Sequence, residues 1–264
     1  MRIVLSLLLI LLLVFKKINH DIEITEATDA LICGTIIRAY KILDATTNFC
    51  CEHRTEIVSM LWRMLLESCA MVSHYTDVSP ENRKKYLIAS YREVRGRYYD
   101  LKDKEGKRAL SDIESRMLDT MIKSIKFDSL EVKDILNKRV KDVKVEDLIK
   151  KYYSDEAYTH SYIAACSSVH GKWQDIRNYY LDIKNDRFFM KVRDMSPDPR
   201  YIMPHTITYL DALIRFILWI KIDDKSRNIK ILEDLQVICL DIETKHETEY
   251  SEGYKTKYMK KSYE

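Results

Sequence analysis

The sequence predicts an all-α fold, a single irregular multi-helix bundle with an apolar N-terminal helix. Three observations lead there. Glycine and proline are scarce, 5 and 4 in 264 residues, which argues against turn-dense β structure and for long helices with short links. Apolar residues recur at helical spacing through most of the chain. Ser79-Pro80-Glu81 is a helix-start signature, with Ser79 as N-cap and Pro80 at the first helical position.

Charge and cysteine usage narrow the class further. Lys and Arg total 44 against 41 Asp and Glu, a formal net charge of +3, so charge alone gives no reason to expect a polyanionic partner. The cysteines at 33, 50, 51, 69, 166 and 239 form no Cys-x-x-Cys pair, which reads as reduced thiols in a cytoplasmic body. Cys50, Cys51 and His53 would supply three metal ligands, but no second cluster has suitable spacing, and no metal is expected. Glycine-rich dinucleotide and phosphate loops, His-Glu-x-x-His and Gly-x-Ser-x-Gly are absent, so no cofactor is expected.

In chain order, residues 1–20 hold the run Ile3 to Phe15, apolar on every face and flanked by Arg2, Lys16 and Lys17. As a helix it would reach about 20 Å, short of the ~30 Å hydrocarbon core. A short inner-membrane anchor with snorkelling flanks, a buried helix and a cleaved signal are the three readings. Residues 21–246 are read as the bundle, and 247–264 as a polar, fraying tail.

The bundle opens with a helix from Glu26 to about Cys50, with Thr28 and Asp29 as candidate caps. Next comes the stretch the rest is organised around, Ile57 to Tyr75. It is apolar on nearly every face, yet carries Arg63 and Glu67 one turn apart, where side chains meet. Such a pair among Met60, Trp62, Met64, Leu65 and Leu66 should be buried or line a cleft. A helix over about 80–101 interleaves arginine and tyrosine; Arg92, Arg95 and Tyr98 are its candidate nucleic-acid contacts, since phosphate pairing and base stacking use those side chains. The same pattern also makes an ordinary half-buried helix.

A charged helix to about Lys126, short helices or an excursion over 128–151, and a helix from Tyr152 to Val169 follow. The last ends in Ser167-Ser168-Val169-His170-Gly171. Trp173, Ile176, Tyr180 and Leu181 continue as another helix. The prolines at 197, 199 and 204 predict an irregular connection over Asp194 to His205. Two closing helices, from His205 to about Ile222 and Arg227 to about His246, complete the bundle.

The Arg63-x-x-x-Glu67 turn and the Ser167-x-x-His170-Gly171 motif resemble those of a bacterial family of all-helical proteins known only as a domain of unknown function. The resemblance covers roughly residues 27 to 220 and implies a helical bundle in which Arg63, Glu67 and His170 face one another. It implies no activity. A more distant resemblance is to the helical HEPN ribonucleases, whose motif places Arg and His a few residues apart on one helix. Arg200-Tyr-Ile-Met-Pro-His205 matches that spacing, but the prolines argue against a helix there, leaving Arg63 with His170 as the HEPN-like pair.

Arg63, Glu67 and His170, with Ser167 and Ser168 beside them, are therefore the candidate catalytic residues. A buried network that sets helix register competes with a site where His170 moves a proton and Arg63 stabilises an anion. The function expected is an interaction or sensor module, membrane-tethered through residues 3–15, or else a toxin-type ribonuclease of a defence system. A protein partner or RNA is the expected ligand class, and the sequence identifies no small molecule.

Overall fold

The computed structural model describes residues 24, 26–52, 54–136, 143–170, 172–184, 187–190, 199–220 and 225–258. The helices are α1 Ala27–Cys51, α2 Thr55–Asp77, α3 Pro80–Ser90, α4 Arg92–Glu105, α5 Asp112–Phe127, α6 Val132–Leu136 and α7 Val145–Tyr152. A π-helical turn, Ala157–Tyr162, then winds into α8, Ile163–Val169, and α9 spans Trp173–Tyr180. After a small hairpin of β1 Leu181–Lys184 and β2 Arg187–Met190, the chain closes with α10 Pro199–Trp219 and α11 Lys225–Tyr258. The fold is all-α, with this hairpin its one departure among the described residues.

The chain divides into two compact units. The smaller comprises residues 23–34 and 77–144. Its core is Leu87, Ile88, Ile125, Leu130 and Ile135, with Ala27, Tyr91 and Val132 packed against it. Arg83, almost wholly buried, donates to the Val78 carbonyl at 3.0 Å and to Asp29 at 3.2 Å. Asp29 thus receives a guanidinium from α3. A capping box of Ser111 and Glu114 starts α5, satisfying two otherwise orphaned N–H groups. The helix expected over about 80–101 is two helices meeting at Tyr91, whose hydroxyl donates to the Asp128 carboxylate.

The larger unit holds residues 35–76 and 145 onward. Leu65 and Leu66 of α2, Ile149 of α7, and Leu210, Leu213 and Ile217 of α10 are essentially inaccessible. Buried hydroxyls on these helices bond backward to the preceding turn. Thr46 reaches the Ile42 carbonyl at 2.9 Å, Ser73 that of Cys69 at 3.1 Å and Thr206 that of Ile202 at 3.0 Å. Each polar group is thereby satisfied without a partner helix.

Two expectations about the closing helices are corrected. The connection predicted from Asp194 to His205 is helical from Pro199 onward. Pro199 sits where the helix needs no N–H, and Pro204 removes one backbone bond further in. Against that loss, the apolar side chains of Ile202 and Met203 are buried, and burial of this kind stabilises by ~1.5–3 kcal/mol per apolar residue. The last helix runs to Tyr258 rather than ending near His246. Among the described residues no helix is long and apolar enough to cross a membrane; the run Ile3 to Phe15 lies outside them.

Candidate functional site

The site grows from α2. Val58, Leu65, Leu66, Cys69 and Val72 point into the core, which leaves Arg63 and Glu67 at the edge of that face and Met64 exposed beside them. Arg63 Nε donates to Glu67 Oε1 at 2.8 Å, and the two side chains are 28% and 23% exposed. The pair is therefore half-buried, where water still screens it and its intrinsic contribution is modest.

The third member of the cluster is a tyrosine. Tyr162 Oη donates to the same Glu67 oxygen at 3.0 Å, and the Arg63 guanidinium lies 5.5 Å from the centre of the Tyr162 ring. Tyr158 stacks on Tyr162 at 5.6 Å with 23° between ring planes, and Lys150 Nζ lies 4.6 Å from the centre of the Tyr158 ring. Two tyrosines from the π-helical turn are thus bracketed by a cation from α7 and a cation from α2. Burial first, and then the Glu67 charge, push the Tyr162 hydroxyl well above the usual phenol range, so it remains a donor. The bond to Glu67 raises the already high pKa of Arg63. The carboxylate accepts from both neighbours, the phenol keeps its proton, and the ring faces are engaged. Chemically this is a clamp that ties α2, α7 and the π-helical turn together.

His170 stands elsewhere. It caps the C-terminus of α8, is exposed, and its backbone N–H donates to the Cys166 carbonyl at 3.2 Å. Among the described residues no hydrogen bond or ion pair joins its ring to Arg63 or Glu67. The Lys172 N–H reaches back to the Ser167 carbonyl at 3.1 Å, a bond of the Schellman type, and the sequence puts Gly171 at the position that motif reserves for glycine. Ser167-x-x-His170-Gly171 therefore reads as a helix terminator. Ser168 is buried, and Ser167 Oγ bonds to the Ile163 carbonyl at 3.3 Å.

The other candidates are spread through the chain. Arg92 is exposed on α4, Arg95 and Tyr98 are half-buried there, and Tyr98 meets Tyr99 edge-on at 6.3 Å. Cys50 is buried and Cys51 exposed, while His53 lies outside the described residues. No group of three or more His, Cys, Asp or Glu suited to a metal occurs among the described residues. The Arg200–His205 spacing, expected off a helix because of the prolines, does lie on one helix. His205 is only 3% exposed, however, its ring 4.0 Å from that of Trp62.

Sequence reasoning missed Tyr162 and the surface beyond it. The i, i+4 spacing of Tyr158 and Tyr162 was a signal for the first. For the second it was the run Phe188-Phe189-Met190, set among charged residues. Trp173 is 56% exposed, Phe188 54%, Phe189 49% and Met190 86%. The hairpin pairs Leu181 with Met190 and Ile183 with Phe188, and Trp173 meets Phe188 edge-on at 5.5 Å.

A double-mutant cycle on Tyr162→Phe and Glu67→Gln, followed by urea unfolding, tests the clamp. Tyr162→Phe keeps the stacked ring and should cost about 0.5–1.5 kcal/mol. The coupling with Glu67 should be on the order of 1 kcal/mol. Strictly additive variants would show that the bond contributes nothing.

Residues 29–188, more than half of the chain, match a family described as Family of unknown function (DUF5677). That span includes the whole clamp. No curated protein and no solved structure matches the chain.

Proposed function

The chain belongs to the DUF5677 family, to which no activity is attached, and on that premise we propose that it is a non-catalytic interaction module. It docks a protein partner through α9 and the hairpin, which follow directly on the helix held by the Tyr162 clamp. The exposure of Trp173, Phe188, Phe189 and Met190 carries this reading. Large apolar side chains clustered in water mark recognition surfaces, and aromatic residues and methionine are enriched in interface cores. In this reading the half-buried Arg63–Glu67 pair has a positioning role, and residues 3–15 tether the module to a membrane.

A HEPN-like ribonuclease is the second reading, and the helical spacing of Arg200 and His205 favours it. Burial of the His205 ring against Trp62 weighs against it, because a proton-transfer group must come within reach of the substrate.

A photo-reactive phenylalanine analogue at position 189 or 190 of the full chain, irradiated in cells, separates the two. The module reading expects a discrete cross-linked protein adduct at these positions and none from a probe at exposed Lys107, in the turn after α4. RNA cleavage by the purified chain that disappears in His205→Ala, with no adduct formed, would establish the ribonuclease instead.

A further inference from the structure

The edge of β2 has a property that bears on what covers it. Edge strands usually carry a charge, a proline or a bulge that blocks pairing with another chain. In β2 the charge stands only at the first residue, Arg187, and Phe188-Phe189-Met190 has none. The sheet has two strands of four residues, and among the described residues β2 pairs only with β1. A two-stranded ribbon is marginal in water, whereas a wider sheet with an apolar face is stable.

We propose that the occupant of this edge is a second copy of the same chain, joined by antiparallel pairing of the two β2 strands about a two-fold axis through Phe189. This rests on the docking reading and names its partner. Successive residues of a strand face opposite ways, so Phe188 and Met190 share the face that Trp173 touches and Phe189 points to the other. The axis through Phe189 sets Phe188 opposite Met190 of the second copy, twice, and Phe189 opposite itself. Apolar side chains thus meet apolar ones on both faces, which is the favourable cross-strand arrangement. Arg187 lies four residues from its own counterpart, and the register sets it opposite Lys191 of the second copy, so a like-charge pair flanks the three apolar pairs at each end.

The area also suits a dimer. With aromatic areas of 150–250 Å², the exposed parts of Trp173, Phe188, Phe189 and Met190 come to on the order of 500 Å² per copy, the most that the contact can draw on. Two copies offer ~1,000 Å², about the lower bound for a specific interface. A two-fold contact is self-complementary and closes on itself, which keeps the apolar edge from propagating into fibres.

The test is a cysteine pair scan on the full chain, with the exposed Cys51 changed to serine. Phe189→Cys, mildly oxidised, should give a disulfide-linked dimer, because facing residues have Cα atoms ~4.5–5.5 Å apart, within disulfide reach. Arg187→Cys should stay monomeric on the same gel, since its counterpart lies about 14 Å away, four residues along the strand. By sedimentation, wild type should show twice the chain mass and Phe189→Asp the single mass, with an unchanged far-UV circular dichroism spectrum as the folding control. Monomeric wild type at ~100 µM, or equal cross-linking at 187 and 189, overturns the proposal. So does a monomer that sediments with phosphatidylglycerol vesicles in a Trp173-dependent way. A monomer that still forms the in-cell photo-adduct with a different protein removes self-pairing but leaves the docking reading standing; loss of both removes the two together.

Discussion

Replacing His205 with leucine should stabilise the protein at neutral pH and flatten its response to acid. The His205 ring is fully enclosed, lies 4.0 Å from the Trp62 ring at a 39° tilt, and neither of its nitrogens makes a hydrogen bond of normal geometry. An enclosed polar group of this kind costs about 1–3 kcal/mol, which an apolar side chain of similar size does not incur. Burial also drives the folded-state pKa from 6.5 down to about 3, against weak support from the Val58 backbone. Between those values the unfolded chain binds the proton and the folded chain does not. The contribution of neutral His205 is therefore complete above pH 6.5 and is lost as the pH falls toward 3. The slope is about 1.4 kcal/mol per pH unit. Between pH 7 and pH 4.5 wild type should lose ~2.7 kcal/mol more than His205→Leu. Urea unfolding across this range measures the difference; parallel curves for the two proteins would mean that the ring is hydrated or paired.

The second large effect concerns the face that α10 turns to the core. Met203, Leu210, Leu213 and Ile217 recur at spacings of three, four and seven and are fully enclosed, whereas Leu218 is 60% exposed. Leu213→Ala should cost roughly 2–5 kcal/mol, as truncation leaves a cavity that its neighbours only partly fill. Leu218→Ala should stay within about 0.5 kcal/mol of wild type. The same chemical change five residues along one helix is then read as a shift in urea midpoint for one variant and none for the other. Equal shifts would mean that α10 is rotated about its axis or does not continue through Pro204.

Arg63 and Glu67 show how far local pattern reaches. Their meeting follows from the helical repeat alone, and the structure has them 2.8 Å apart. Full burial did not follow, because whether a helix face lies in the core or at its rim depends on which helices arrive next to it. The Ser-x-x-His-Gly motif was legible as a helix end through its glycine. That the ring of His170 should reach the ion pair was an inference across more than a hundred residues, which local geometry does not constrain. Tyr162, two turns earlier on the same stretch, makes that contact instead.

The amino-acid sequence by itself determined the all-α class, the family, the courses of α1 and α2, and the ion pair within one turn. Each of these depends on residues close together along the chain, through periodicity, capping and backbone hydrogen bonding. Tertiary structure alone decided that α10 runs through Pro204, that a tyrosine rather than a histidine completes the clamp, and that Phe188, Phe189 and Met190 stand in water. The reason is that burial is a property of the packed chain. It can override a proline's local cost, choose among distant partners, and leave exposed an apolar run that composition would have sent to the core.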